Sequence, residues 1–206
     1  MTTLVPAALT EADLPLAELA CARLDGELFG LAGSWCPIDA PDGPETRAGA
    51  LQRTAPHRAA AERLTAAWIY GLAPEPAEHQ FCVDVGARTV KHPGSGVCLR
   101  EVRLGDADAV LLGRLLVTTP LRTAVDLARW GTSRDHPADT GLIAALLAHA
   151  GLAQVTAGDA RTPPADDAST AAAVVSGLRG ISFTRVAQAQ LRDAFRLLGA
   201  QPSLTR

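Results

Sequence analysis

The sequence predicts an α+β protein in which a small central sheet, mixed or antiparallel, packs with helices. Three observations predict it. Short apolar and β-branched runs cluster in residues 27–38 and 79–117, and helical spacing governs the rest. Apolar residues make up 48% of the 206 and aromatic residues only 4%, which implies a core of alanine and leucine on closely packed helices. The stretch from Val117 to Arg129 reads as a strand running straight into a helix. There, Gly113 to Val117 has the composition of a buried strand, Thr119 stands where an N-cap belongs, and Pro120 takes the first helical position, where a missing N–H costs nothing. Leu121, Val125 and Ala128 recur at helical spacing and face the core. Arg122 and Asp126 are four apart and can pair, for about 0.2–0.5 kcal/mol if exposed.

From the start of the chain, Thr10-Glu11-Ala12-Asp13 resembles a helix start with a capping hydroxyl and early acids. Leu14, Leu16, Leu19, Ala20 and Leu24 give that helix an apolar face, and Asp25-Gly26 ends it. Glu27–Leu31 and Ser34–Ile38 then read as two short strands around Ala32-Gly33. One helix followed by a β-ribbon is the outline of the end of a winged-helix module. A reduced module is expected, since the usual preceding helices have no room upstream. Asp39 to Pro44 is turn-rich and marks the expected boundary, with a reduced winged-helix-like segment at 1–43 and an α+β core with a helical C-terminal tail at 44–206.

In that core, Glu45–Arg53 is expected to be helical and broken near Pro56. His57–Tyr70 is expected as one helix, with Ala60, Leu64, Ala67 and Trp68 on one face and an Arg58–Glu62 pair; Gly71 closes it. Gln80–Val85, Val97–Arg103 and Gly113–Val117 are the expected strands, with turns at 86–88 and 93–96. Val97, Leu99 and Glu101 fall on one face of the middle strand, Cys98, Arg100 and Val102 on the other. Later helices are expected at 138–150, 167–178 and 182–198, with a break at 161–165 and frayed residues from 201.

Charge and motifs narrow the function. The formal net charge is −3, but residues 1–43 hold one basic residue against seven acidic ones, a charge of −6, which leaves +3 for the rest. An acidic front and a mildly basic remainder suggest different partners. No targeting signal and no apolar run of membrane-spanning length is seen, and the four cysteines form no C-x-x-C pair, so a cytoplasmic protein with free thiols is expected. No phosphate-binding glycine loop is present, and Gly94-Ser95-Gly96 is a turn without the strand-to-helix context of a nucleophile elbow. Asp106 and Asp108 sit in a polar loop and are expected to be solvated. The expectation is a protein without catalysis and without a cofactor. His79, Cys82, His92 and Cys98 together form a zinc-type ligand set, but their spacing fits no known knuckle, and Cys82 serves equally well as a small hydrophobe, so no metal is assigned. Arg185, Arg192 and Arg196 fall near one face of the last helix, opposite Phe183, Ala187, Leu191, Ala194 and Leu198; Arg53 and Arg58, beside His57, make a second basic cluster. These five arginines are the candidate nucleic-acid contacts, although a solvated amphipathic helix shows the same pattern. In the acidic front, Phe29, Leu31 and Trp35 are core residues or a docking surface.

Two segments carry a family resemblance. Ala61 to Leu72, with Ala66-Ala67-Trp68-Ile69-Tyr70-Gly71-Leu72 at its end, and Val117 to Arg129, with Thr118-Thr119-Pro120 and Arg122-Thr123-Ala124, resemble the small actinobacterial proteins grouped with AbiEi-type antitoxins of type IV toxin–antitoxin systems. The similarity runs from about residue 17 to 130 and is weaker over Leu19–Pro37, where that family has the end of its winged helix. The resemblance implies a DNA-binding repressor that autoregulates its operon and counters a nucleotidyltransferase-like toxin, with homo-oligomer formation open. The wing of such regulators is typically basic, whereas Leu24 to Gly30 is acidic here. Some relatives carry a C-terminal endonuclease-like domain; a helical tail is expected in its place.

Overall fold

Two backbone positions explain the largest difference from the sequence reading. Residues 57–70 are not one helix in the computed structural model, which describes residues 8–87, 96–132, 136–151 and 185–200. Arg58 and Arg63 both adopt left-handed backbone, with φ of +62° and +46°. Between them Ala60–Ala61 is a two-residue strand, β3, and only Arg63–Ile69 is helical, as α3. β3 is the centre of the sheet. Both alanines are wholly buried, and neighbouring strands flank them on each side. A helical run of alanines thus becomes strand because the middle of the sheet has room for small side chains only, an override of local propensity by packing.

The sheet around β3 is mixed. β4 is His79–Asp84, β5 Val97–Val102, β6 Ala109–Leu112 and β7 Leu115–Thr118, in the order β5-β4-β3-β7-β6. β4–β5 and β3–β7 pair in parallel, β3–β4 and β6–β7 antiparallel. The expected strands at 80–85 and 97–103 are β4 and β5. The expected strand at 113–117 is β7, but its start is a tight turn with Gly113 at φ +59°, and β6 precedes it. β6 lies at the sheet's edge with Val110 and Leu111 exposed, so it lacks the buried pattern by which sequence reveals strands.

Register divides the sheet into two faces. Ala61, Phe81 and Leu99 are aligned, as are Ala61 and Val117. This face is apolar and is covered by α3 and by α2, Pro44–Leu51, through Ala48, Leu51, Ala66, Trp68 and Ile69. Ala60, Cys82 and Arg100 are aligned on the other face, next to Gln80 and Cys98. That side carries the polar groups of the candidate site. α4, Pro120–Trp130, follows β7 as expected: Thr119 is the N-cap, its hydroxyl accepting from the Arg122 N–H at 3.3 Å, and Pro120 is the first helical residue. α5, Thr140–His149, is capped by Asp139, and α6 is Arg185–Ala200. Ala124, Val125, Leu127 and Ala128 of α4 pack with Ile143, Leu146 and Leu147 of α5 and with Leu191, Phe195 and Leu198 of α6 in a second core. The expected helix at 167–178, and residues 182–184 of the last one, lie outside the described residues.

The front begins with a turn rather than a helix, because Asp13 accepts from the N–H and hydroxyl of Thr10, both at 2.9 Å, and Pro15 starts α1, Leu16–Leu24. Only Leu19 of α1 is buried; the expected apolar face is otherwise exposed at Leu14, Leu16 and Leu24. β1, Leu28–Leu31, and β2, Ser34–Pro37, form the expected ribbon around Ala32-Gly33, both at positive φ, the conformation of a two-residue hairpin turn. The ribbon rests on α2: the Ser34 hydroxyl donates to the Ala50 carbonyl at 2.8 Å, and Cys36 packs with Ala8 and Ala50. No helix among the described residues is long and apolar enough to cross a membrane.

Candidate functional site

The polar face of the sheet meets α4 in a buried ionic cluster. Glu62 and Asp126 are wholly buried, Arg122 is 2% exposed, and Asp108 and Arg63 are also buried. Arg122 donates from Nε to Asp126 at 2.8 Å and from Nη1 to Asp108 and to the Arg103 carbonyl. The pair that the four-residue spacing allows is therefore the interior hub of the protein. Its helix is buried from Arg122 through Ala128, so no solvated side remains. Asp108, expected in a solvated loop, also fixes the Gly105 N–H at 2.8 Å and is an internal counter-ion. Asp106 remains exposed.

Glu62 extends the cluster toward an open cleft. It follows β3 and is the N-cap residue of α3, and it takes both Nε and Nη2 of Arg100 and, at 3.3 Å, Nε of Arg63. Arg100 lies 3.5 Å from Asp126 as well. Burial pulls the Arg100 guanidinium down, but Glu62 and Asp126 outweigh it and hold its pKa above the ordinary value. Arg129 stands apart. Among the described residues it donates no hydrogen bond, and its one carboxylate neighbour there, Asp126 Oδ1, is 3.9 Å away. Burial, and then Arg100 and Arg122 beside it, bring its pKa below the ordinary value despite Asp126. The Asp126 oxygen that faces it has no hydrogen-bond partner. Arg63, Arg100, Arg122 and Arg129 thus face Glu62, Asp108 and Asp126, four cations against three anions.

Arg63, Arg100 and Arg129 line a cleft of about 740 Å³ between the polar sheet face and the ends of α4 and α6. Trp130, half exposed, stands on its wall with the Arg100 and Arg129 guanidiniums 5.1 and 5.3 Å from its ring centre. Gln80 braces the wall: its side chain accepts from the Leu64 N–H at 3.1 Å and donates to the Thr132 carbonyl at 2.8 Å, tying α3 to the end of α4. Arg63 enters through its left-handed backbone, a conformation that costs a non-glycine residue about 1–3 kcal/mol and persists only when the surroundings impose it. Sequence reasoning missed this cleft. Its signal was weak: one arginine in each of α3, β5 and α4, brought together only by strand order.

The residues assigned from sequence lie elsewhere. Arg185, Arg192 and Arg196 are exposed along α6, whose Ala187, Leu191, Ala194, Phe195 and Leu198 face the core. Arg196 pairs with Asp193 at 3.3 Å. Arg53 pairs with Asp13 of the front at 2.8 Å. Arg58 is exposed in the turn before β3, and its expected helical pairing with Glu62 does not form because no helix joins them. Of the zinc-type set, His92 lies outside the described residues. His79 and Cys82 are three apart on β4 and point to opposite faces; Cys98 shares the face of Cys82. Burial, then the charges of Glu62 and Asp126, push the Cys82 thiol far up and keep it protonated. Among the described residues no group of three or more His, Cys, Asp or Glu side chains is placed to hold a metal ion. No protein-family model matches the chain, and no curated protein matches it.

Proposed function

We propose that this protein is an antitoxin-like transcriptional regulator, cytoplasmic and non-catalytic, which binds DNA at its own operator and contacts a protein partner such as a nucleotidyltransferase-like toxin. The observation that carries the DNA half is α6. Its apolar side is locked into the helical core, so Arg185, Arg192 and Arg196 are held outward in one row; Arg185 and Arg192 make the phosphate-contacting face, and Arg196 is held by Asp193. The sequence resemblance over the α3 and β7–α4 segments supports the regulatory role. The test is fluorescence anisotropy with the DNA upstream of the protein's own gene at ~50 and ~200 mM salt. Specific binding that weakens with salt supports the reading, and absence of binding at the lower salt refutes the DNA half.

A second reading, a protein-interaction module without a DNA role, is favoured by the front. Leu16, Leu24 and Ile38 are 53%, 86% and 63% exposed, beside the exposed acids Glu18, Asp25, Glu27 and Asp39. An apolar surface rimmed by acids suits a partner with a basic groove. A stoichiometric partner that co-purifies with the wild-type chain and is lost from the L16S/L24S variant would select this reading.

A further inference from the structure

We propose that the arginine-lined cleft binds a nucleotide unit, a phosphate with an aromatic base, independently of the DNA-contacting face of α6. The cleft is large enough for such a ligand, since small-molecule sites commonly span about 300–1,000 Å³. Its lining is mixed as a nucleotide requires. Three guanidiniums converge on one end: Arg63 and Arg100 share Glu62 Oε1, and Arg100 and Arg129 flank Asp126. The exposed indole of Trp130 with Val186 offers an apolar surface, and Gln190 of α6 carries an amide able to read a base edge. Among the described residues Glu78 on the rim is the one carboxylate of the lining, against the three guanidiniums.

Arg129 decides the argument. A structural arginine at this depth is ordinarily consumed by hydrogen bonds, as Arg122 is by Asp126, Asp108 and the Arg103 carbonyl. Arg129 is 15% exposed at its side chain, crowded by the Arg100 and Arg122 guanidiniums, and donates to nothing among the described residues. An anion in the cleft would balance the surplus positive charge of the cluster and take up its unused donors. Phosphate geometry matches the guanidinium fork, and a base resting against Trp130 accounts for an exposed tryptophan beside it. The unit has two sources, a free nucleotide or one residue of a nucleic-acid strand, and both present the same chemistry.

The test is isothermal titration of the full chain with ADP, with inorganic phosphate, and with a single-stranded oligothymidylate. Binding of ADP or of the oligonucleotide is expected, with R129Q weakening it roughly 10- to 100-fold and leaving the thermal midpoint near that of the wild type. ADP binding assigns a free nucleotide; binding of the oligonucleotide without ADP assigns a strand. W130A is expected to weaken both ligands but not phosphate, and R192Q on α6 is expected to leave ADP binding unchanged. No binding of either ligand overturns the proposal. So does phosphate binding as tightly as ADP, or an equal loss in R192Q and R129Q, which would mark diffuse electrostatics.

Discussion

Asp126→Asn and Arg129→Gln test the charge balance of the buried cluster in opposite directions. Asp126 is wholly buried and answers three guanidiniums, at 2.8 Å to Arg122, 3.5 Å to Arg100 and 3.9 Å to Arg129. The amide keeps the shape and one acceptor oxygen but removes the charge, leaving four cations against two anions. Removing one partner from a buried ion pair costs about 3–5 kcal/mol, because the surviving charge remains desolvated and uncompensated. For a chain of this size 1 kcal/mol moves the midpoint by about 2–4 °C, so the expected fall is about 6–20 °C. Arg129→Gln brings the cluster to three against three and breaks no hydrogen bond among the described residues. It loses the stem's packing, the contact with Trp130 and the 3.9 Å approach to Asp126, offset by relief from the Arg100 and Arg122 charges, and is expected to stay within about 1 kcal/mol of wild type. Urea titrations followed by far-ultraviolet circular dichroism measure both variants. If Asp126→Asn costs less than about 1 kcal/mol, or Arg129→Gln costs as much as Asp126→Asn, the charge accounting is wrong.

Three further outcomes follow from the same geometry. Arg63→Gly and Arg63→Ala lose the same guanidinium, but only alanine keeps a Cβ at φ +46°; the alanine variant should be less stable than the glycine one by about 1 kcal/mol in urea melts, and the reverse order would contradict a strained backbone there. Burial draws the His79 pKa below 6.5, with Glu75 a smaller opposing influence. As pH falls below 6.5 the unfolded chain takes up a proton that the folded His79 refuses, so its contribution to stability is intact at pH 7 and declines until the folded pKa is reached; His79→Phe should flatten the stability difference between pH 7.0 and 5.5, and an unchanged difference would show that His79 is not its source. In native thiol labelling, exposed Cys21 should react first, with Cys36 and Cys82, both buried and with thiols pushed up by desolvation, reacting only on unfolding.

What sequence made legible was local. Thr119-Pro120 specifies a helix start by hydrogen bonding and fixed φ alone, and α4 begins there. Ala32-Gly33 specifies a two-residue turn, and β1 and β2 meet across it. What it concealed was set by tertiary placement. Ala60 and Ala61 carry helical propensity, yet their small side chains are what the centre of the sheet admits. The four-residue spacing of Arg122 and Asp126 revealed the pair but not its depth, because depth depends on Asp108, Glu62 and Arg100, 14 to 64 residues away in the chain. The cleft was illegible for the same reason. Glu62, Arg63, Arg100 and Arg129 form no spacing pattern and meet only because β5 lies parallel to β4, and β4 beside β3.

The placement of the five sequence-assigned arginines converts the DNA proposal into a number. Arg53 is engaged with Asp13, and Arg196 with Asp193, so neither presents an uncompensated charge to a phosphate. Arg58, Arg185 and Arg192 have no ion pair among the described residues and are exposed. Each phosphate neutralised on duplex DNA contributes about −0.9 to the slope of log affinity against log salt, so three contacts give a slope near −2.7 and a loss of roughly 40-fold between 50 and 200 mM. If the cleft arginines Arg63, Arg100 and Arg129 also took phosphates of the same duplex, the slope would approach −5.4 and the loss would be roughly 2,000-fold. A slope near −2.7 that falls by about 0.9 in Arg192→Gln and in Arg58→Gln and is unchanged in Arg129→Gln places duplex DNA on α6 and the turn of Arg58 and keeps the cleft separate. A steep slope that Arg129→Gln reduces would place the duplex across the cleft instead and refute the separation of cleft and α6. A slope near zero would mean that the exposed arginines of α6 meet only water.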